Sequence, residues 1–114
     1  MIRIRILAFL ALMVASTATA EEPGYFLRGN DLLLACESKA PTDKSLCEGY
    51  IIGVASTLSD PGMAKVRVCI PDGVVSGQVI LIVVKWFKEN PRNLHQSAAA
   101  NIAYALSNAF PCSK

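Results

Sequence analysis

The chain has 114 residues, room for one domain, with four cysteines, one histidine and a formal net charge of +2. Arg3 and Arg5 account for that excess: of eleven Lys and Arg they are two, which leaves nine against nine Asp and Glu. With no basic patch left, the chain is not built to bind nucleic acid or to adhere electrostatically to an anionic membrane.

The first twenty residues, MIRIRILAFLALMVASTATA, read as a secretory signal peptide. Arg3 and Arg5 form the basic region, Ile6 to Ala15 the apolar core, and Ala18-Thr19-Ala20 the small residues of a cleavage site. The apolar core is short for a bilayer of roughly 30 Å, which argues against a membrane anchor. No lipobox cysteine follows, since the first cysteine is Cys36. The expected mature chain, from Glu21, is a single all-α domain over residues 21–114 in the periplasm.

A polar lead-in, Glu21 to Gly29, precedes a short helix over Asp31–Glu37, with Asn30 as its N-cap and Leu32, Leu33 and Cys36 facing inward. The stretch SKAPT breaks it. A second helix is predicted from Asp43, as cap, to Leu58, with Leu46, Cys47, Tyr50, Ile51, Val54 and Leu58 forming an apolar face. Gly49 and Gly53 sit four apart in this run. The run is too short to span a bilayer. The glycines are therefore read as a groove for a neighbouring helix, at about 1 kcal/mol each in helix propensity.

SDPG at 59–62 ends that helix, and Met63 to Val75 is a loop. Ser76 is the expected N-cap of a third helix, Gly77–Glu89, whose QVILIVV is apolar on nearly every side. Its β-branched content leaves a buried strand as the alternative. Length, the cap and the following Asn90-Pro91 favour a helix. Asn90 and Pro91 read as the start of the last helix, where Leu94, Ala98, Ile102, Leu106 and Phe110 recur every four residues. Ala98, Ala99 and Ala100 make a slim surface, Tyr104 lies off the row, and Pro111 ends it. The four helices form a small bundle.

Four cysteines in a small exported chain suggest two disulfides, with three pairings possible. No pair has C-x-x-C spacing, so neither a redox motif nor a zinc knuckle is encoded. Short connections make helices one and two, and three and four, antiparallel neighbours. This favours Cys36–Cys47 and Cys69–Cys112. In the chain-entropy model the two loops contribute roughly 3 and 4 kcal/mol, which matters in a domain whose core is small.

No catalytic set is visible, and no cofactor or metal is expected. His95 is alone and reads as a solvated surface residue. No serine has a G-x-S-x-G setting. DPG and PDG are turns without the acidic ladder of a calcium loop, and nothing pairs Asp60 with Asp72 as acid and base. Bridged cysteines offer no thiolate. Trp86 and Phe87 read as core or edge packing. What remains is an exported helical module that acts by binding.

The ordered motifs LLLACES, CEGYIIGVA, VCIPDGVVSGQ, VVKWFKENPRNLHQSAA and ALSNAFPC resemble the Rap/Tai family of type VI secretion immunity proteins, from Gly29 to Cys112. The resemblance implies a small all-helical periplasmic protein, often a homodimer. Its partner would be a peptidoglycan amidase effector of the cysteine-peptidase type, whose active site it blocks. These motifs are mostly cysteines, glycines and apolar residues that carry the fold, so they fix no contact residues.

Contacts are expected where the chain is free to vary: the loop Ser59–Arg67 and the exposed parts of helices two and four. In the loop, Pro61, Gly62, Met63, Lys65 and Arg67 are the candidate partner-binding residues, since Met and Arg are enriched in interfaces. A solvated connector is the plain alternative for this segment. Two other classes compete with the immunity reading. A small acid-activated stress chaperone would need a carboxylate cluster whose protonation exposes apolar surface, and here the acids are evenly spread. An enzyme or lipid-binding module lacks its catalytic set.

Overall fold

The computed structural model describes residues 26–113; the predicted signal peptide and its cleavage site lie outside them. Four helices follow in order: α1 Gly29–Glu37, α2 Pro41–Ser59, α3 Ser76–Glu89 and α4 Ala98–Ala109, with a 3₁₀ turn Pro91–Asn93 between the last two. No strand forms among the described residues; one isolated antiparallel bridge joins Arg28 to Ser97. The all-α expectation holds, and QVILIVV is helical.

The helix starts depart from expectation, each for a local reason. In α1 the reach-back residue is Asp31, whose Oδ2 accepts the Arg28 N–H at 3.3 Å; Asn30 lies inside the helix rather than capping it. Pro41, taken with SKAPT as a breaker, is the first residue of α2, where its missing N–H is no loss. Asp43 does not cap α2: its Oδ2 accepts the Ser38 hydroxyl at 2.6 Å, and that hydroxyl oxygen accepts the Ala40 N–H at 3.1 Å. Ser76 is the first residue of α3 rather than its cap; Gln78 Oε1 reaches back to the Val75 N–H at 2.9 Å.

The largest departure lies between α3 and α4. One continuous helix was expected from Pro91, but the chain turns at 91–97 and restarts at Ala98, where the Ser97 hydroxyl accepts the Ala100 N–H at 3.1 Å. Asn101 is the reason. Its Nδ2 donates to the carbonyls of Asn93 and Ser97, both at 3.0 Å, and holds the turn closed from inside. The turn's other carbonyls serve α1: Leu94 O accepts the Asn30 N–H and Gln96 O the Gly29 N–H, both at 2.9 Å. Free N–H groups at the start of one helix are thereby satisfied by the connection leading into another. Asn101 itself is fully buried, and its Oδ1 accepts no hydrogen bond.

This seam needs a glycine. A Cβ at Gly29 would lie 3.0 Å from Asn101 Nδ2 and 3.0 Å from the Leu94 Cα, a backbone atom with little room to move. The close approach assigned to Gly49 and Gly53 is not found there. Both are exposed, and a Cβ on either would meet nothing within 4 Å. The buried stripe of α2 is Cys47, Ile51, Ala55 and Leu58. Two residues further on is more than half a turn away, which puts both glycines on the opposite side. Leu46, expected on the apolar face, is exposed with them.

The core joins that stripe to Leu32, Val79, Val83, Phe87, Ile102 and Leu106, with Val68 inserted from the long loop. The predicted four-residue row is buried at Leu94, in the turn, and at Ala98, Ile102 and Leu106 of α4, Phe110 beyond the helix is half-buried, and Tyr104, off the row, is exposed. Two disulfides, Cys36–Cys47 and Cys69–Cys112, form as expected, with Cα–Cα distances of 5.0 and 4.9 Å.

Candidate partner-binding surface

The segment Ser59–Arg67 leaves α2 and returns to its own base. The Val68 N–H donates to Leu58 O at 3.1 Å, which closes the segment like a clasp, and Val68 is buried beneath it. At the tip, Asp60 Oδ1 accepts the Gly62 N–H at 2.9 Å and Asp60 O accepts the Met63 N–H at 3.2 Å. An aspartate that bonds backbone two residues on is the ordinary means of fixing such a turn. Just beyond, the Cys69 N–H donates to Phe110 O at 2.9 Å and Cys69 is bridged to Cys112. Both ends of the loop are thus tied to helices.

Between those ties the side chains face outward. Pro61, Gly62, Met63, Lys65 and Arg67 are all exposed, Met63 at 68%. The structure brings these five candidates together on one loop. It adds Val66, 51% exposed, which sequence reasoning missed. A β-branched apolar residue in the pattern VRV reads as inward-facing, and only its neighbour Val68 is. Among the described residues Lys85–Glu89 and Lys88–Glu37 pair on the helices, while Lys65 and Arg67 are exposed on the loop. The loop therefore offers two apolar side chains flanked by two cations, on a backbone held at both ends.

Beside it runs an open groove of ≈ 390 Å³ between α2 and the start of α3, with Ile52, Ser56, Ser59, Asp72 and Val79 in its walls. A second open groove, ≈ 270 Å³, lies between α3 and α4 at Trp86 and Asn108. Trp86 packs edge-on to buried Phe87, with ring centroids 6.1 Å apart, and also lies 6.1 Å from Tyr104. Both aromatics thus belong to packing, as the sequence suggested.

Reactive groups do not converge on either groove. Asp60 is engaged in its turn, and His95 Nδ1 lies 2.9 Å from the Arg92 carbonyl on the surface. All four cysteines are bridged, and among the described residues no three His, Cys, Asp or Glu side chains cluster as a metal site. No helix among those residues is long and apolar enough to cross a membrane. What the arrangement offers chemically is a shaped, partly cationic surface.

Comparison with curated proteins finds no match. A family model described as Rap1a immunity proteins matches residues 28–112. That match begins at the residue before α1, takes in all four helices and both disulfides, and ends on Cys112: the chain belongs to the Rap1a immunity protein family.

Proposed function

We propose that this immunity protein acts in the periplasm by binding a peptidoglycan amidase delivered by type VI secretion and occluding its cysteine-peptidase active site. Family membership over residues 28–112 carries the reading. An inhibitor that works by occlusion needs a preorganised surface more than reactive groups, because a loop already fixed loses less entropy on binding. The clasped loop 59–67 meets that requirement, with Pro61, Gly62, Met63, Val66, Lys65 and Arg67 as the contact set. Two disulfides suit an oxidising compartment, and the leader at residues 1–20 would deliver the chain there. The protein pairs as a homodimer in this reading, as its family resemblance suggests.

The test uses the purified mature protein and the amidase encoded beside its gene. Mixing the two is expected to stop peptidoglycan cleavage and give a co-eluting complex on size-exclusion chromatography, which also reports whether two copies pair. Unchanged cleavage with no complex would reject the immunity role for that amidase.

A further inference from the structure

The two disulfides stand in opposite surroundings. Cys47 is 3% exposed and packs within the hydrophobic core, with Cys36 half-buried beside it. Cys69 is exposed and Cys112 half-buried, close to the end of the described chain. Thiol–disulfide exchange requires a thiolate to approach a sulfur in line with the S–S bond, so access sets which bridge reacts. Cys36 and Cys47 line an open groove of ≈ 210 Å³ together with Lys44, Glu48, Ile80, Leu81 and Val84, whose side chains surround that bridge.

Their roles in the fold differ as well. Cys36–Cys47 joins residues 11 apart on two helices that also share the Ser38–Asp43 hydrogen bond. Cys69–Cys112 joins residues 43 apart, and it ties the long loop to the end of α4 beside a single backbone hydrogen bond, Cys69 N–H to Phe110 O. Opening the first bridge leaves its helices packed. Opening the second leaves one hydrogen bond between the long loop and the end of α4, with the Val68 clasp to Leu58 still holding the loop to α2.

We propose that Cys69–Cys112 is a redox-modifiable site, opened selectively by dithiol reductants, and that its opening loosens the 59–75 segment while the helices stay folded. A thiolate of the dithiol attacks Cys69 Sγ, the S–S bond breaks, and the electron pair leaves on Cys112 Sγ. The second thiol of the reductant then attacks the mixed disulfide. Cys69 leaves as a thiolate, both cysteines take up the protons given by the dithiol, and the dithiol ends as a disulfide. The consequence for partner binding rests on the immunity reading above; the chemistry does not.

The experiment treats the mature protein with limiting dithiothreitol, and separately with a reduced thioredoxin-type protein, then traps thiols with iodoacetamide and maps them by peptide mass. Cys69 and Cys112 are expected to label roughly tenfold or more faster than Cys36 and Cys47. Equal or reversed labelling overturns the assignment. Hydrogen exchange of the singly opened protein should quicken most across 59–75 and 110–113, with α1 and α2 still protected. Unchanged exchange throughout overturns the loosening. The Cys69→Ser/Cys112→Ser variant supplies a permanently open form, and if it fails to fold the wild-type titration still decides. With the amidase, weaker inhibition by the open form supports a role for the bridge in binding, and equal inhibition by both forms overturns that role. A protein that opens selectively yet binds no amidase in either state overturns the immunity reading and keeps the redox site.

Discussion

The two ends of this bundle are held by different means. At the α1 end, glycine, carbonyls and a buried asparagine mesh: Gly29 lies against Leu94 and Asn101, and the 94–96 carbonyls take the N–H groups of α1. At the long-loop end Val68 is buried in the core beneath the Leu58–Val68 clasp, and the Cys69–Cys112 bridge holds the chain just beyond it. Each end thus carries one bridge; the α1 end adds a close-packed seam, whereas the exposed stretch 61–67 is held by ties at its two ends. Met63, Val66, Lys65 and Arg67 are exposed between those ties, as the proposed contact surface requires.

The sharpest way to break that contrast is to remove one bridge at a time. Cys69→Ser/Cys112→Ser should lower unfolding stability by about 4 kcal/mol and Cys36→Ser/Cys47→Ser by about 3, following the longer closed loop. Urea melts of the two variants check the order; a larger loss from the α1-end bridge would invert the comparison. Next in size is Gly29→Ala. A methyl group there meets the Leu94 backbone at 3.0 Å, and such overpacking costs about 1–3 kcal/mol. Thermal unfolding should show the loss directly.

The opposite sign is expected at Gly53. With nothing within 4 Å of a Cβ, Gly53→Ala should gain up to about 1 kcal/mol in the same assay, since alanine is the better helix residue. A loss at Gly53 equal to that at Gly29 would mean that the exposed face of α2 is covered after all. The smallest expected effect on stability comes from the loop. Met63→Ala with Arg67→Ala should stay within about 0.5 kcal/mol of the parent, as surface substitutions do. The same variant should weaken amidase inhibition by roughly tenfold or more, as loss of an interface anchor does.

These contrasts also show what could be read from sequence. The disulfide pairing was legible because helix order and turn residues bring Cys36 to Cys47 and Cys69 to Cys112 without any tertiary detail. The buried row Leu94, Ala98, Ile102 and Leu106 was legible because its four-residue spacing runs on through the turn into α4. The face of α2 was legible in part: Cys47, Ile51 and Leu58 are buried as read and Tyr50 and Val54 are half-buried against the core, while Leu46 at the margin is exposed and Ala55 takes a buried place. The break before α4 depends on Asn101 capturing carbonyls four and eight residues back, at Ser97 and Asn93. An asparagine inside a predicted helix carries no mark of that role. The loop candidates were found from composition and chain position, while the exposure of Val66 depends on Val68 taking the buried place beside it.

The decisive experiment is hydrogen exchange of the protein free and in complex with the amidase. Slowed exchange is expected at the amides of residues 62–67, with the exposed turns of α2 at Gly49 and Gly53 unchanged. Protection confined to α2 or to the α3–α4 groove, with the loop exchanging as in the free protein, would contradict the proposed contact surface.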